Sequence, residues 1–201
     1  MAPTSSTDTS AGAFELTAQQ QRQLLQVARE SIRHGLDHGR SMAVDVQHYD
    51  EPLRRLAATF VTLHKSGDLR GCIGALQPYR PLLSDVAEHA FAAAFSDPRF
   101  PPLRREELDG IVISISVLGP PQAVAFTDEE QLIAQLRPAV DGVILEEGRN
   151  RGTFLPSVWE TLPEPRQFLQ QLKRKAGLPA DYWSENLRVS RYTTHSFSEM
   201  A

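Results

Sequence analysis

The stretch that most constrains this chain runs over residues 82–95, where Leu82, Leu83, Val86, Ala87, Ala90, Phe91, Ala94 and Phe95 repeat as adjacent apolar pairs every four residues. Pairs at that spacing cover more of a helix than the single stripe of a surface helix. The segment therefore predicts a helix buried over much of its circumference, ended by Asp97 and Pro98, and it requires other elements to bury it. The alternation of Ile111, Ile113, Ile115 and Val117 predicts a central strand, with Ser114 and Ser116 on its other face.

Around these two elements the chain reads as a series of helices and hairpins. Thr17 followed by Gln20 is a capping-box pattern, and Leu24, Leu25, Ala28, Ile32 and Leu36 keep helical spacing behind it. Residues 60–63 and 69–76 predict two strands turning at Ser66, Gly67 and Asp68. Thr127 with Glu130 forms a second capping box ahead of a short helix closed by Pro138. Residues 143–145 and 153–155 predict strands around a turn at 148–152. Phe168, Leu169, Leu172 and Ala176 predict a helix with Lys173, Arg174 and Lys175 in its last turn and Gly177 as the C′ residue. A final extended stretch covers 187–197. Strands that arrive in hairpins, without a βαβ rhythm, indicate an α+β fold with a mixed, largely antiparallel sheet flanked by helices.

At 201 residues and 41% hydrophobic content the chain is long enough for one sizeable core, so residues 15–199 are expected to form a single domain. Residues 1–14, rich in Thr, Ser and Ala and without a secretory pattern, are expected to form a flexible tail. The formal charge of −4 offers no general attraction to nucleic acid or to an anionic membrane, which makes nucleic acid a disfavoured partner. No unbroken apolar run reaches the roughly 20 residues of a membrane helix. The single cysteine rules out an intramolecular disulfide and suits a reducing compartment, so the cytoplasm is the expected location.

That cysteine, Cys72, lies in a predicted strand. Alternation puts Leu69, Gly71 and Ile73 on the core face and Arg70, Cys72 and Gly74 on the other, with Arg70 and Cys72 about 6–7 Å apart. A guanidinium at that distance favours thiolate over thiol, and the glycines at 71 and 74 leave room for a ligand or another backbone. His64, His89 and His195 are the candidate bases for such a nucleophile. The other account is that Cys72 fills space as a small hydrophobe. Asp97 and Arg99 follow the buried helix in a proline-rich turn that could hold both at a rim, or simply stop the helix. Arg149 and Arg151 flank Asn150 in a glycine turn suited to a carboxylate or phosphate, or to plain solvation. His195 and Glu199 share one face of the last stretch. No CxxC, HExxH, Walker loop or GxGxxG following a strand is present, so neither a metal nor a cofactor is expected.

Six segments together resemble a known family: LRGCIG at 69–74, AAFSDPRFPPL at 93–103, ISISVL at 113–118, GRNRGTFLPSVW at 148–159, FLQQLKRKAGLP at 168–179 and FSE at 197–199. Their order and spacing are similar to the family named for the Alport, midface hypoplasia and elliptocytosis (AMME) chromosomal region, whose microbial members are called AmmeMemoRadiSam system protein A. The Glu146 and Glu147 pair before the glycine turn is a minor departure. The resemblance implies two intimate subdomains with the signature segments gathered at a cleft between them. It also implies association with a Memo-like protein and a radical-SAM enzyme, and it implies no particular reaction. Two functions follow. One is an enzyme or enzyme component that uses Cys72, with Arg70, Arg99 or Arg151 orienting an anionic group. The other is a non-catalytic module that binds protein or nucleic acid, with Cys72 as a packing residue.

Overall fold

The computed structural model describes residues 15–200, so the tail expected over residues 1–14 lies outside the described residues. In chain order the elements are α1 (Ala18–His38), α2 (Glu51–Arg54), β1 (Ala58–Lys65), β2 (Asp68–Gly74), α3 (Leu82–Phe95), β3 (Ile111–Leu118), β4 (Gln122–Ala123), α4 (Glu129–Gln135), β5 (Gly142–Glu147), β6 (Asn150–Phe154), α5 (Pro165–Lys175), β7 (Arg188–Tyr192) and β8 (Thr194–Ser198). They divide into two units, one of residues 15–118 with 194–200 and one of residues 119–193. Each unit holds its own four-stranded sheet, in the order β2-β1-β3-β8 and β4-β7-β5-β6, and every strand pairing is antiparallel.

In the first unit α1 starts on the predicted capping box: the Thr17 hydroxyl accepts the Gln20 N–H at 3.3 Å, and Gln20 Oε1 accepts the Thr17 N–H at 2.9 Å. The buried helix predicted at 82–95 is α3, and it packs with α1 on one face of the sheet. That face carries Val61, Leu63, Ile113, Ile115 and Val117, all fully buried, against Leu82, Leu83, Val86 and Ala90. Burying each of the larger side chains contributes about 1.5–3 kcal/mol. Asp85 of α3 accepts both the backbone N–H (3.0 Å) and the hydroxyl (2.7 Å) of Thr59, which fixes the helix to the start of β1.

In the second unit Leu132, Val143, Leu145, Phe168, Leu169, Leu172 and Val189 surround Trp159, whose indole stacks on Phe168 at 3.7 Å. The Trp159 N–H donates to the Asp141 carbonyl oxygen at 2.7 Å, which satisfies the one polar atom of that side chain. Helix α4 is capped one residue later than predicted, by the Asp128 carboxylate accepting the Gln131 N–H at 2.8 Å. Thr127 and Asp128 are both good caps, and the chain direction decides which one reaches the orphan donor. Gly177 adopts φ +85° after α5, as expected of a C′ residue. The final extended stretch is divided: β7 joins the sheet of the second unit and β8 that of the first. An unbroken alternation names no partner strand, so it could not reveal this break. Among the described residues no helix is long and apolar enough to cross a membrane.

Candidate functional site

Strand β2 is an edge strand with a bulge at Arg70. Thr62 pairs with Cys72 and Leu63 with Gly71, but His64 then pairs with Leu69, leaving Arg70 as the extra residue. Ahead of the bulge the predicted alternation holds: Gly71 and Ile73 share the helix-covered face with Leu63 and Val61, and Cys72 shares the other face with Thr62. At the bulge it resets. Leu69, expected in the core, is 41% exposed. Arg70, expected beside Cys72, turns its guanidinium to Glu107, with Nε 3.1 Å from Oε1 and Nη2 3.0 Å from Oε2. Lys65 Nζ completes the group at 2.9 Å from Glu107 Oε1. The Arg70 hydrogen bonds, helped by the Arg104 N–H, hold the Glu107 carboxyl well below the usual range.

The two glycines of this strand serve close approach. A Cβ on Gly71 would lie 2.1 Å from the Ala93 carbonyl oxygen, so β2 runs directly against the last turn of α3. A Cβ on Gly74 would lie 2.4 Å from the ring of Phe60, which covers that position instead. With α3 so close, the turn that follows it delivers Asp97 to the free edge of β2.

The buried Asp97 carboxylate accepts four hydrogen bonds: Oδ2 takes the Cys72 N–H at 2.9 Å and Arg99 Nη2 at 2.7 Å, and Oδ1 takes the Arg99 N–H at 3.1 Å and Nε at 2.9 Å. The Arg99 hydrogen bonds, with the two backbone N–H groups, outweigh burial and hold this carboxyl far below the ordinary range. Reciprocally, the Asp97 carboxylate, and to a smaller extent Cys72, raises the pKa of Arg99. Nη2 of Arg99 also donates to the Cys72 carbonyl at 3.3 Å, while Nη1 makes no hydrogen bond among the described residues and the side chain is 54% exposed. Cys72 itself is half-buried, and its sulfur accepts the Thr62 hydroxyl at 3.3 Å.

Strand register extends this arrangement across the sheet. Cys72, Thr62, Ser114 and Ser198 form one row on the face away from α1 and α3. Gly74, Phe60, Ser116 and Ser196 form the next, with the two serine hydroxyls 2.9 Å apart.

Among the residues singled out from sequence, the fold gathers Cys72, Asp97 and Arg99, with Gly71 and Gly74 shaping the strand. It does not bring Arg70, His195 or Glu199 to them. His195 lies on the helix-covered face with Nε2 3.0 Å from Gln21 Nε2, and Glu199 binds Arg29 at 2.7 and 2.5 Å and the Ile113 N–H at 3.0 Å. His89 is in the core, with Nδ1 3.1 Å from Thr59 Oγ1. Of the three candidate bases only His64 shares the cysteine face, diagonal to Cys72. Arg149 and Arg151 belong to the second unit, where Arg151 Nε is 3.1 Å from Glu146. Thr62 and Glu107 were not singled out. Thr62 was accessible, because the turn at 66–68 places residues 62 and 72 opposite each other; nothing in the local pattern marks Glu107 as the partner of Arg70. Among the described residues no group of three or more His, Cys, Asp or Glu is placed to hold a metal ion.

The segments that build this arrangement are also the ones that carry the resemblance, and the AMMECR1 family model matches residues 25–197. The chain belongs to the AMMECR1 family. It is 36% identical over 190 residues to a protein of Methanothermobacter thermautotrophicus, covering 92% of this chain and 96% of that one. It is 37% identical over 168 residues to a protein of Thermotoga maritima, covering 83% and 91%. The crystal structure of an uncharacterized protein from Pyrococcus horikoshii superposes with a TM-score of 0.82 at 34% identity, over 88% of this chain and 89% of that one. The AMMECR1 match includes Cys72, Asp97 and Arg99 and stops short of Glu199.

Proposed function

We propose that this AMMECR1 family member is an enzyme or enzyme component in which Cys72 is the reacting side chain and Arg99 anchors an anionic or polar substrate. The observation that carries this reading is the guanidinium of Arg99, immobilised by the buried Asp97 with Nη1 left unused, beside a half-buried sulfur. The Thr62 hydroxyl orients the sulfur, and a cysteine acts as a nucleophile through its thiolate. The hydroxyl rows on the same face supply neutral donors and acceptors for the rest of a polar ligand. A reducing compartment such as the cytoplasm keeps the thiol available. The Memo-like and radical-SAM partners implied by the family resemblance belong to this proposal as the setting in which the site works.

The test is the rate of Cys72 alkylation by iodoacetamide across pH in native and unfolded protein. Native labelling is expected to be fast at neutral pH, at a rate comparable to or above that of the unfolded chain. Labelling that appears only on unfolding would remove Cys72 from the chemistry. The same assay on Arg70→Ala should give rates within about twofold of wild type, because that guanidinium is committed to Glu107 and a remote charge is largely screened. Its cost is in stability, about 3 kcal/mol in a urea melt, from leaving a largely buried carboxylate short of its main partner.

A second reading draws support from the saturation of Cys72's backbone. Its N–H and C=O face away from β1 and are taken by Asp97 and Arg99, so the turn closes the free edge of β2 as a device against unwanted strand pairing. On this reading the protein is a non-catalytic protein- or nucleic-acid-binding module and Cys72 is packing. Cys72→Ala would then fold and keep its partner, and native Cys72 would resist alkylation.

A further inference from the structure

The second unit holds a cavity of about 560 Å³, and every residue that lines it belongs to that unit. Residues 123–127 and most of 183–190 form its walls, together with Glu146. Its size is that of a small-molecule site. Strand register accounts for the space. Ala123, Ser190 and Ile144 form one row across β4, β7 and β5, with Arg188 and Glu146 as the next row on the same face, and Ala123 brings only a methyl. Arg188 and Glu146 also line a second cavity, of about 380 Å³. Phe126 and Trp183, with ring centroids 5.7 Å apart, give the larger cavity an aromatic wall. That wall is braced: the wholly buried Lys173 lies over the Trp183 ring at 5.9 Å, with its Nζ 3.1 Å from Glu129 Oε2.

The charged groups in the lining select the ligand. They are Glu146, Glu185 and Arg188. Glu146 Oε1 is 3.1 Å from Arg151 Nε, which offsets the first carboxylate. One charge of each sign is left, since the side chains of Glu185 and Arg188 make no hydrogen bond or ion pair among the described residues. A simple anion would be drawn to Arg188 and repelled by Glu185, and a simple cation would meet the reverse. A zwitterion satisfies both. An α-amino acid carries its two charges on one carbon, beside a side chain that can enter the aromatic wall. We infer that the second unit binds a free α-amino acid with an apolar or aromatic side chain. Its carboxylate lies on Arg188, its ammonium on Glu185, and its side chain against Phe126 and Trp183. This site uses no residue of the first unit and stands whether or not Cys72 reacts.

Trp183 reports on the cavity directly, and Trp159, whose N–H is held by the Asp141 carbonyl in the core, serves as internal reference. Titration of L-phenylalanine into isotope-labelled full-length protein, followed by NMR, should shift the Trp183 indole signal saturably at millimolar concentration or below. The Trp159 signal should stay in place. Phenylalaninamide, which lacks the carboxylate, and hydrocinnamate, which lacks the ammonium, should each bind about tenfold more weakly, the size of one charge-assisted contact. Arg188→Gln should weaken L-phenylalanine to the same degree and leave phenylalaninamide unchanged, while Glu185→Gln should weaken L-phenylalanine without weakening hydrocinnamate. Both side chains are exposed, so neither variant threatens the fold. Absence of a saturable Trp183 shift with any of the three compounds would overturn the site. Phenylalaninamide binding as tightly as L-phenylalanine would overturn the free amino acid in favour of a peptide N-terminus. Hydrocinnamate doing so would overturn it in favour of a simple carboxylate.

Discussion

Gly71→Ala is expected to be the most damaging small substitution in the first unit, lowering stability by about 3 kcal/mol or more and in the extreme preventing folding. The added methyl would meet the Ala93 carbonyl oxygen at 2.1 Å, and that oxygen belongs to helix backbone, so no side chain can rotate out of the way. Relief requires β2 to lift from α3, which pulls the Cys72 N–H from Asp97. Urea denaturation followed by circular dichroism measures the effect. A midpoint indistinguishable from wild type would mean that β2 and α3 are not in the contact described. Because the damage reaches Cys72 through its backbone, any Gly71→Ala protein that does fold should also show altered Cys72 alkylation.

Asp97→Asn should cost about 2–4 kcal/mol at neutral pH, since one substitution removes the charge beneath Arg99 and weakens four hydrogen bonds at once. The expected loss depends on pH, and its sign follows from the depressed pKa of Asp97. A carboxyl whose folded pKa lies below its unfolded value contributes its full stabilisation above the unfolded pKa, about 4, and loses it as pH falls from there toward the folded value. Wild type and variant should therefore differ most above about pH 5 and converge in acid. A gap that stayed constant down to pH 3 would show that Asp97 acts through shape and not through charge. Glu107, also held low, adds to the acid sensitivity of both proteins and so cancels from the comparison.

Much of the first unit was legible because its signals are local. The capping box at Thr17, the broad stripe of α3 and the alternation of β3 each fix hydrogen bonds or burial within a few residues of themselves, and each matches an observed element. The proximity of Cys72 to Asp97 and Arg99 was only half legible: the motifs stand in the chain, but 25 residues and a helix separate them. Their meeting depends on Gly71 permitting β2 to touch α3. Arg70 went astray for a definite reason. Alternation assumes an unbroken ladder, and a one-residue bulge resets it, so a side chain expected beside the thiol points to Glu107 instead.

From sequence by itself came the longer helices and most of the strands, the α+β class, the family, and Cys72 as the residue to watch, because periodicity, caps and motifs are properties of neighbouring positions. Tertiary structure alone decided that the last extended stretch serves two sheets, that His195 and Glu199 lie on the helix-covered face, and that Arg99, not Arg70, is the guanidinium beside the sulfur. Those outcomes depend on strand register, a bulge and the approach of a helix to a glycine, which are set by packing between distant segments and leave no mark on any one of them.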